Sequence, residues 1–543
     1  MHWQQVYNPL GSAAASTLVA AVPIAVLLGC IASGRVKSHS AALLALGTAF
    51  VVATMGVGMP MPTAAYAVLL GAAYGLFPIC WIVLNILFLY RLTAEQGAFE
   101  RMKASIASLS GDRCIQLVLI AFALGSFFEG TAGFGTPVAI TAALLIGLGF
   151  SPLQASGLSL IANTAPVAFG AMGTPIIALQ GVTGLDAMLL SKMIGRQLPF
   201  FSVIIPFWLI AAYEGWAGVR RTWPVLLVAG VSFAVPQFLM SNYQGPTLVD
   251  VVASVVCVAS VAAFVRLTRR GPSASASTSP EPANESGRRG AGALRAWTPW
   301  IILCVLVFLS GLPASKAWLN HVYAPQVHVA GLDKLVFRVP PVVATPQAEP
   351  AVFSFNILSA TGTSILLAAI LGGFVLGFSL ADMARVYART VRIAWRSLLT
   401  ITAMLAIGYL TRYSGLDAIL GLAFARTGVL YPLFGTLLGW LGVALTGSDT
   451  SSNVLFGSLQ RITATNLGLS PVLMSAANSS GGVMGKMIDA QSIVVASTAT
   501  NATGSEGAIL RFVFTHSVVL AFLVGILVLL QAYVPPFTSM VPR

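Results

Sequence analysis

The chain has 543 residues, 57% apolar and 8% charged, with 29 basic against 16 acidic side chains and a mean hydropathy of +0.87. A soluble domain carries about 25% charged residues, so this composition excludes a soluble enzyme, a nucleic-acid-binding protein and a disordered chain. The apolar content suffices for roughly 12 to 14 membrane spans of about 20 to 25 residues, and the net charge of +13 sits in basic clusters at the ends of apolar runs, as in cytoplasmic loops.

In chain order, apolar runs lie at 16–32, 40–58, 62–90, 114–128, 197–213, 223–240, 246–265, 298–312, 356–379, 397–411, 428–446 and 508–533. The 62–90 run is long enough for one tilted helix or two shorter pieces. The N-terminus lacks the basic region of a cleavable signal, so the first span is expected to be retained. The segment 267–296, rich in Ser, Pro, Gly and Arg, is expected to be a flexible cytoplasmic linker between an N-terminal transmembrane half (1–266) and a C-terminal half (297–543). Proline and mixed charge make 314–355 an expected extracytoplasmic loop. Arg385, Arg389, Arg392 and Arg396 share one helical face, expected to lie flat at the membrane surface as a topology anchor. The five cysteines lie in or beside apolar runs without paired spacing and read as small buried side chains.

Two further regions are apolar but interrupted by Gly, Pro, Ser, Thr and Asn. The first reads Phe128-Glu-Gly-Thr-Ala-Gly-Phe-Gly-Thr-Pro137, then Gly149-Phe-Ser-Pro152, then Ala162-Asn-Thr164. The second reads Thr446-Gly-Ser-Asp-Thr-Ser-Ser-Asn453, then Gly468-Leu-Ser-Pro471, then Ala477-Asn-Ser479. In both, the Asn is followed by Gly (Gly170, Gly485) and then by Met (Met172, Met487) at the same spacing. The correspondence places Glu129 opposite Ser448, next to Asp449. Counting spans from the basic clusters brings the two motifs in from opposite faces. That is the pattern of two inverted repeats, with sites where broken or re-entrant helices meet in mid-membrane. Gly and Pro free backbone groups that hydrocarbon cannot satisfy, and new helix N-termini attract carboxylates.

Charges inside the membrane are functional candidates by default. Glu129 and Asp449 are the candidate proton carriers. Asp449 has a second reading, in which it only neutralises Lys486. Lys486 is the candidate for attracting an anion. Arg461 reads as holding its hairpin or facing water, Asp489 as a helix cap, and His516 as packed. No metal cluster, nucleophile elbow or complete phosphate loop appears, so neither a cofactor nor an enzymatic activity is expected.

At these residues the chain resembles the L-lactate permease family of bacterial transporters. The resemblance rests on Phe128–Ile140, Asn163–Gly173, Leu445–Asn453, Ala477–Met487 and Trp3–Pro9, and spans nearly the whole chain. Asp489-Ala490 departs from a more usual Ser-Pro, and the 267–296 linker is longer and richer in arginine. The resemblance implies an all-α polytopic protein of the bacterial inner membrane. It implies uptake of L-lactate, glycolate and related 2-hydroxy monocarboxylates by proton symport, with sodium coupling as the alternative. The substrate-binding candidates are Lys486, Asn163, Thr164, Gly135, Thr136, Ser451, Ser452, Asn453, Asn478, Ser479, Ser480 and Gln491. The partners expected are the monocarboxylate, a proton and the lipid bilayer, with no nucleic acid.

Overall fold

The computed structural model describes residues 2–32, 36–97, 110–131, 133, 135–268, 298–310, 312–343, 345–502 and 505–542. The expected linker falls almost wholly outside the described residues. Among those described, eight helical runs are long and apolar enough to cross a membrane, or ten if each of two bent pairs is one span. The run Ala187–Tyr243 supplies two of the spans read from the sequence, because Gly215 (φ 73, ψ −164) reverses the chain within it. The 62–90 run is two helices, Met61–Tyr74 and Trp81–Glu95, parted by an extended residue at Phe77. The chain is a multi-pass integral membrane protein.

The two interrupted regions fold by the same local rules. Thr136–Gly147 and Pro152–Ala162 form one helical hairpin, Asp449–Asn466 and Pro471–Gly485 the other. Each turn uses a glycine in the left-handed region, Gly149 (φ 85) and Gly468 (φ 68), where a Cβ would be strained. Each second helix starts with Pro in its first turn behind a serine cap: Ser151 accepts from Gln154 N–H and Ser470 from Leu473 N–H. These caps satisfy donors that lipid cannot. After Ala162 the chain bends by 63° before continuing to Thr183. Beyond the bend, the start of Gly170–Thr183 holds three successive left-handed residues, Ala171 (φ 43), Met172 (φ 58) and Gly173 (φ 74). In the second region a short 3₁₀ turn, Lys486–Ile488, leads to the helix Ala490–Ala499.

The continuations are exchanged between halves. Gly170–Thr183 packs on the hairpin helix Asp449–Asn466, and Ala490–Ala499 packs on Thr136–Gly147 and Pro152–Ala162. Glycines permit the close approach: a Cβ on Gly457 would meet Leu179 Cδ1 at 2.5 Å.

Two expectations are corrected. The arginines 385–396 do not lie on a separate surface helix; they form the first turns of one 35-residue helix, Leu380–Ser414. Arg389 pairs with Glu95 (2.9 Å) and Arg396 turns toward a cavity. The 314–355 segment is not a plain loop. It holds the helix Pro313–Val322 and two small sheets. In one, Gln326–His328 pairs antiparallel with Val352–Ser354; in the other, Val336–Arg338 is flanked by Trp3–Gln4 (parallel) and Gln347–Ala348 (antiparallel). The N-terminal Trp3-Gln-Gln motif therefore lies on the same face as this segment. Gln5 fixes it there, donating to the carbonyls of Arg412 (2.9 Å) and Tyr413 (3.0 Å).

Candidate functional site

Three helix beginnings meet at one cavity. Thr136–Gly147 starts at Gly135, which is left-handed (φ 80) and gives no side-chain cap. Asp449–Asn466 starts at Ser448, whose Oγ accepts from Ser451 N–H at 3.2 Å. Ala490–Ala499 starts at Asp489, whose Oδ1 accepts from Ser492 N–H at 2.7 Å. Gly135, Ser448, Ser451 and Ser492 line a cavity of about 380 Å³ together with Thr446, Gly447 and Lys486. Converging N-termini carry partial positive charge and unpaired N–H groups. Residues from both interrupted regions thus line one cavity.

Lys486 supplies the formal charge. Its Nζ donates to the carbonyl of Gly447 at 2.6 Å and lies 3.3 Å from Asp489 Oδ2. Among the described residues the direct ion-pair partner of Lys486 is Asp489, one turn on, which also caps the following helix, and not Asp449. Lys37, His39 and Arg396 line the same cavity. Lys37 and Arg396 are exposed, so the cavity opens on a basic rim.

Glu129 and Asp449 lie behind this cavity, both buried. Glu129 lies in the last turn of the helix Gly125–Thr131, and its Oε2 accepts from Asn163 Nδ2 at 3.1 Å. Its other oxygen fills the space beside Gly170: a Cβ there would stand 2.6 Å from Oε1. Both interruptions of the first half therefore close on Glu129. Asp449 Oδ2 accepts from Ser479 Oγ at 2.5 Å and Asn453 Nδ2 at 3.3 Å, and Oδ1 has no partner.

The other candidates divide. Gly135, Ser451 and Lys486 line the cavity. Asn163 serves Glu129, while Thr164 Oγ1 donates back to the Ile161 carbonyl in the preceding helix. Ser452, Asn453, Asn478 and Ser479 form a buried network around Asp449 that does not reach the cavity; Asn478 donates to Asn453 Oδ1 at 2.9 Å and receives Gln460 Nε2 at 3.1 Å. Ser480 is tied to Gln197 at 2.7 Å. The side chains of Thr136 and Gln491 lie outside the described residues. His516 accepts from Trp208 Nε1 at 3.0 Å, a packing role. Sequence reasoning missed Lys37, His39, Arg396, Thr446, Ser448 and Ser492. It also missed Asp250, a lone acid in an apolar run, which the rule applied to Glu129 would have found.

A second pair of cavities lies on the face of the 313–355 segment. One, of about 450 Å³, is lined by Tyr74, Gln180, Lys316, Tyr409 and Arg412; the other, of about 210 Å³, shares Gln180 and Lys316 with it. Arg412 is tied to Glu349 at 3.0 Å, and Glu349 also holds Arg338 at 2.7 Å. The helix Leu380–Ser414 links the two sides: Thr400 and Ile401 line the basic-rimmed cavity, and Leu405 begins the lining of the other about one turn later.

The model of the L-lactate permease family matches residues 16–535. The glycolate permease GlcA of Escherichia coli (strain K12) is 45% identical over 561 residues, covering 99% of each chain. An L-lactate permease of the same strain is 42% identical over 551 residues, covering 99% of this chain and all of its own. The L-lactate permease of Bacillus subtilis (strain 168) is 42% identical over 567 residues, covering both chains in full. With matches of this length and closeness, the chain belongs to the L-lactate permease family.

Proposed function

We propose that this permease takes up L-lactate, glycolate and related 2-hydroxy monocarboxylates by symport with protons across a bacterial inner membrane. The names of its relatives supply the substrates. The observation that carries the reading is the cavity at which Gly135, Ser448, Ser492 and Lys486 meet. The carboxylate binds at the helix N-termini beside Lys486, with the Ser451 hydroxyl as a further donor. Asp489 offsets part of the lysine charge, which keeps binding weak enough for release. Glu129 and Asp449 carry protons behind the site, so one acid anion and one proton cross without net charge. Asn163 and Ser479 hold these carboxyls in place.

The reciprocal packing of the two halves supports reading 1–266 and 297–543 as inverted repeats, with the site where they cross. The basic rim of Lys37 and Arg396 supports reading the cavity beside Lys486 as open to the cytoplasm, with 314–355 and the N-terminus on the outer side. Alternating access then opens one cavity as the other closes across the Ile401–Leu405 turn. The test is uptake of labelled L-lactate and glycolate into vesicles of purified protein. An inward proton gradient should drive accumulation whether sodium or choline is present, and Glu129→Gln should abolish it while sparing exchange. Accumulation that requires sodium at fixed pH would refute proton coupling.

A further inference from the structure

Asp250 stands in the first turn of the helix Val249–Thr268. It is 1% exposed, and neither of its carboxyl oxygens has a hydrogen-bond partner. A buried carboxylate without donor or cation costs several kcal/mol, so such a residue calls for a function. Four elements pack against this helix: Val118–Leu124, Gly125–Thr131, Gly170–Thr183 and Leu198–Tyr243. The first and third contain no ionisable residue. In the fourth, Tyr213, Glu214, Arg220 and Arg221 gather about the Gly215 turn at its far end, and Tyr243 is 76% exposed. The second contributes Glu129, the residue before the Gly130 that packs on Asp250.

The position of Asp250 joins two sites already described. On one side it packs against the backbone of the residue after Glu129: a Cβ on Gly130 would stand 2.7 Å from Asp250 Cβ. On the other side Pro246 and Thr247, about one turn earlier, line the 210 Å³ cavity with Gln180, Lys316 and Asn356. The left-handed turn ties both ends together. Gly173 lies on Pro246, where a Cβ would stand 2.6 Å from the carbonyl oxygen, and Gly170 lies on Glu129.

We propose that Asp250 is a proton-relay residue between the cavity on the 313–355 side and Glu129, an assignment that rests on the proton-symport reading above. Hydronium in that cavity gives a proton to an Asp250 carboxylate oxygen and leaves water. Asp250 passes it to the Glu129 carboxylate and is left ionised until reloaded. In the present conformation Pro246 and Thr247 line that cavity and the buried Asp250 does not. Movement of the Gly170–Gly173 turn shifts the surroundings of both carboxyls at once, which opens the relay in step with transport.

The test compares gradient-driven accumulation with equal-pH counterflow of labelled L-lactate for wild type, Asp250→Asn and Asp250→Glu in vesicles. Counterflow exchanges substrate without net proton movement, so a relay residue affects it less. Asp250→Asn should lower accumulation at least tenfold more than counterflow, and Asp250→Glu should recover part of the loss. Equal losses in both assays, or wild-type accumulation in Asp250→Asn, would overturn the assignment. Where Asp250→Asn does not yield folded protein by size-exclusion chromatography, Asp250→Glu decides: an altered dependence of uptake on external pH supports the relay, and an unaltered one refutes it. If wild-type accumulation follows sodium instead of protons, the symport reading itself fails and the relay with it. If it follows protons and only the Asp250 results disagree, the relay alone fails.

Discussion

Gly170→Ala tests the placement of Glu129 with one added methyl group. Gly170 has φ −61 and ψ 156, an extended conformation that alanine adopts without strain. Any effect therefore comes from space. The new Cβ would lie 2.6 Å from Glu129 Oε1 and 3.2 Å from Cγ, about 0.8 Å short of ordinary contact for the oxygen. The carboxyl moves as a rigid group, so Oε2 cannot hold its 3.1 Å bond from Asn163 without a new side-chain conformation. The lost hydrogen bond costs about 1–1.5 kcal/mol and an off-rotamer side chain about 0.5–1.5 kcal/mol. Together these predict a roughly tenfold to hundredfold fall in gradient-driven lactate uptake. The melting temperature should move far less than for Gly173→Ala, which puts a Cβ on a left-handed residue and against Pro246. Adding Glu129→Asp to Gly170→Ala shortens the acid and should restore part of the uptake. Wild-type uptake by Gly170→Ala, or no rescue by the shorter acid, would refute the claim that this glycine exists to seat Glu129.

Lys486→Met should abolish binding and destabilise the protein by about 3–5 kcal/mol, because Asp489 is left as an unpaired buried charge; adding Asp489→Asn should recover the melting temperature without recovering transport. Lys37→Ala with Arg396→Ala removes exposed charges from the basic rim, so lactate efflux from the rim side should show a KM raised a few-fold at low salt, with the difference vanishing near 1 M salt as screening sets in. Asp333, in the 313–355 segment, is held below the usual carboxylate range by the Ala351 N–H (2.7 Å) and by His328 (2.9 Å). Its contribution is complete above about pH 4 and is lost as pH falls through the lowered value. Hydrogen exchange of 326–354 should therefore rise on acidification below pH about 4, and Asp333→Asn should show fast exchange at neutral pH with the acid step gone.

The sequence carried whatever is written locally. Gly-x-Ser-Pro specifies a left-handed turn followed by a capped helix, so both hairpins and their correspondence were legible before any packing was known. Charges inside apolar runs stand out for the same reason: solvation in lipid is a property of the residue and its immediate neighbours. The small sheets of 326–354 were not legible, because their two- and three-residue strands draw on segments far apart, one of them the N-terminus. Pairing was not legible either. Whether Lys486 meets Asp449 or Asp489 depends on where the chain turns after Gly485, and whether Arg396 faces lipid or the cavity depends on how Leu380–Ser414 is rotated against the Asp449 hairpin. Ser452, Asn453, Asn478 and Ser480 have the composition of a binding site, yet tertiary packing ties the first three to each other and Ser480 to Gln197. Composition and spacing determined a broken-helix membrane protein with a few costly charges, and only the crossing of its halves decided which of those charges share a cavity, because electrostatic partners are set by distance in space and the chain fixes distance only over a turn or two.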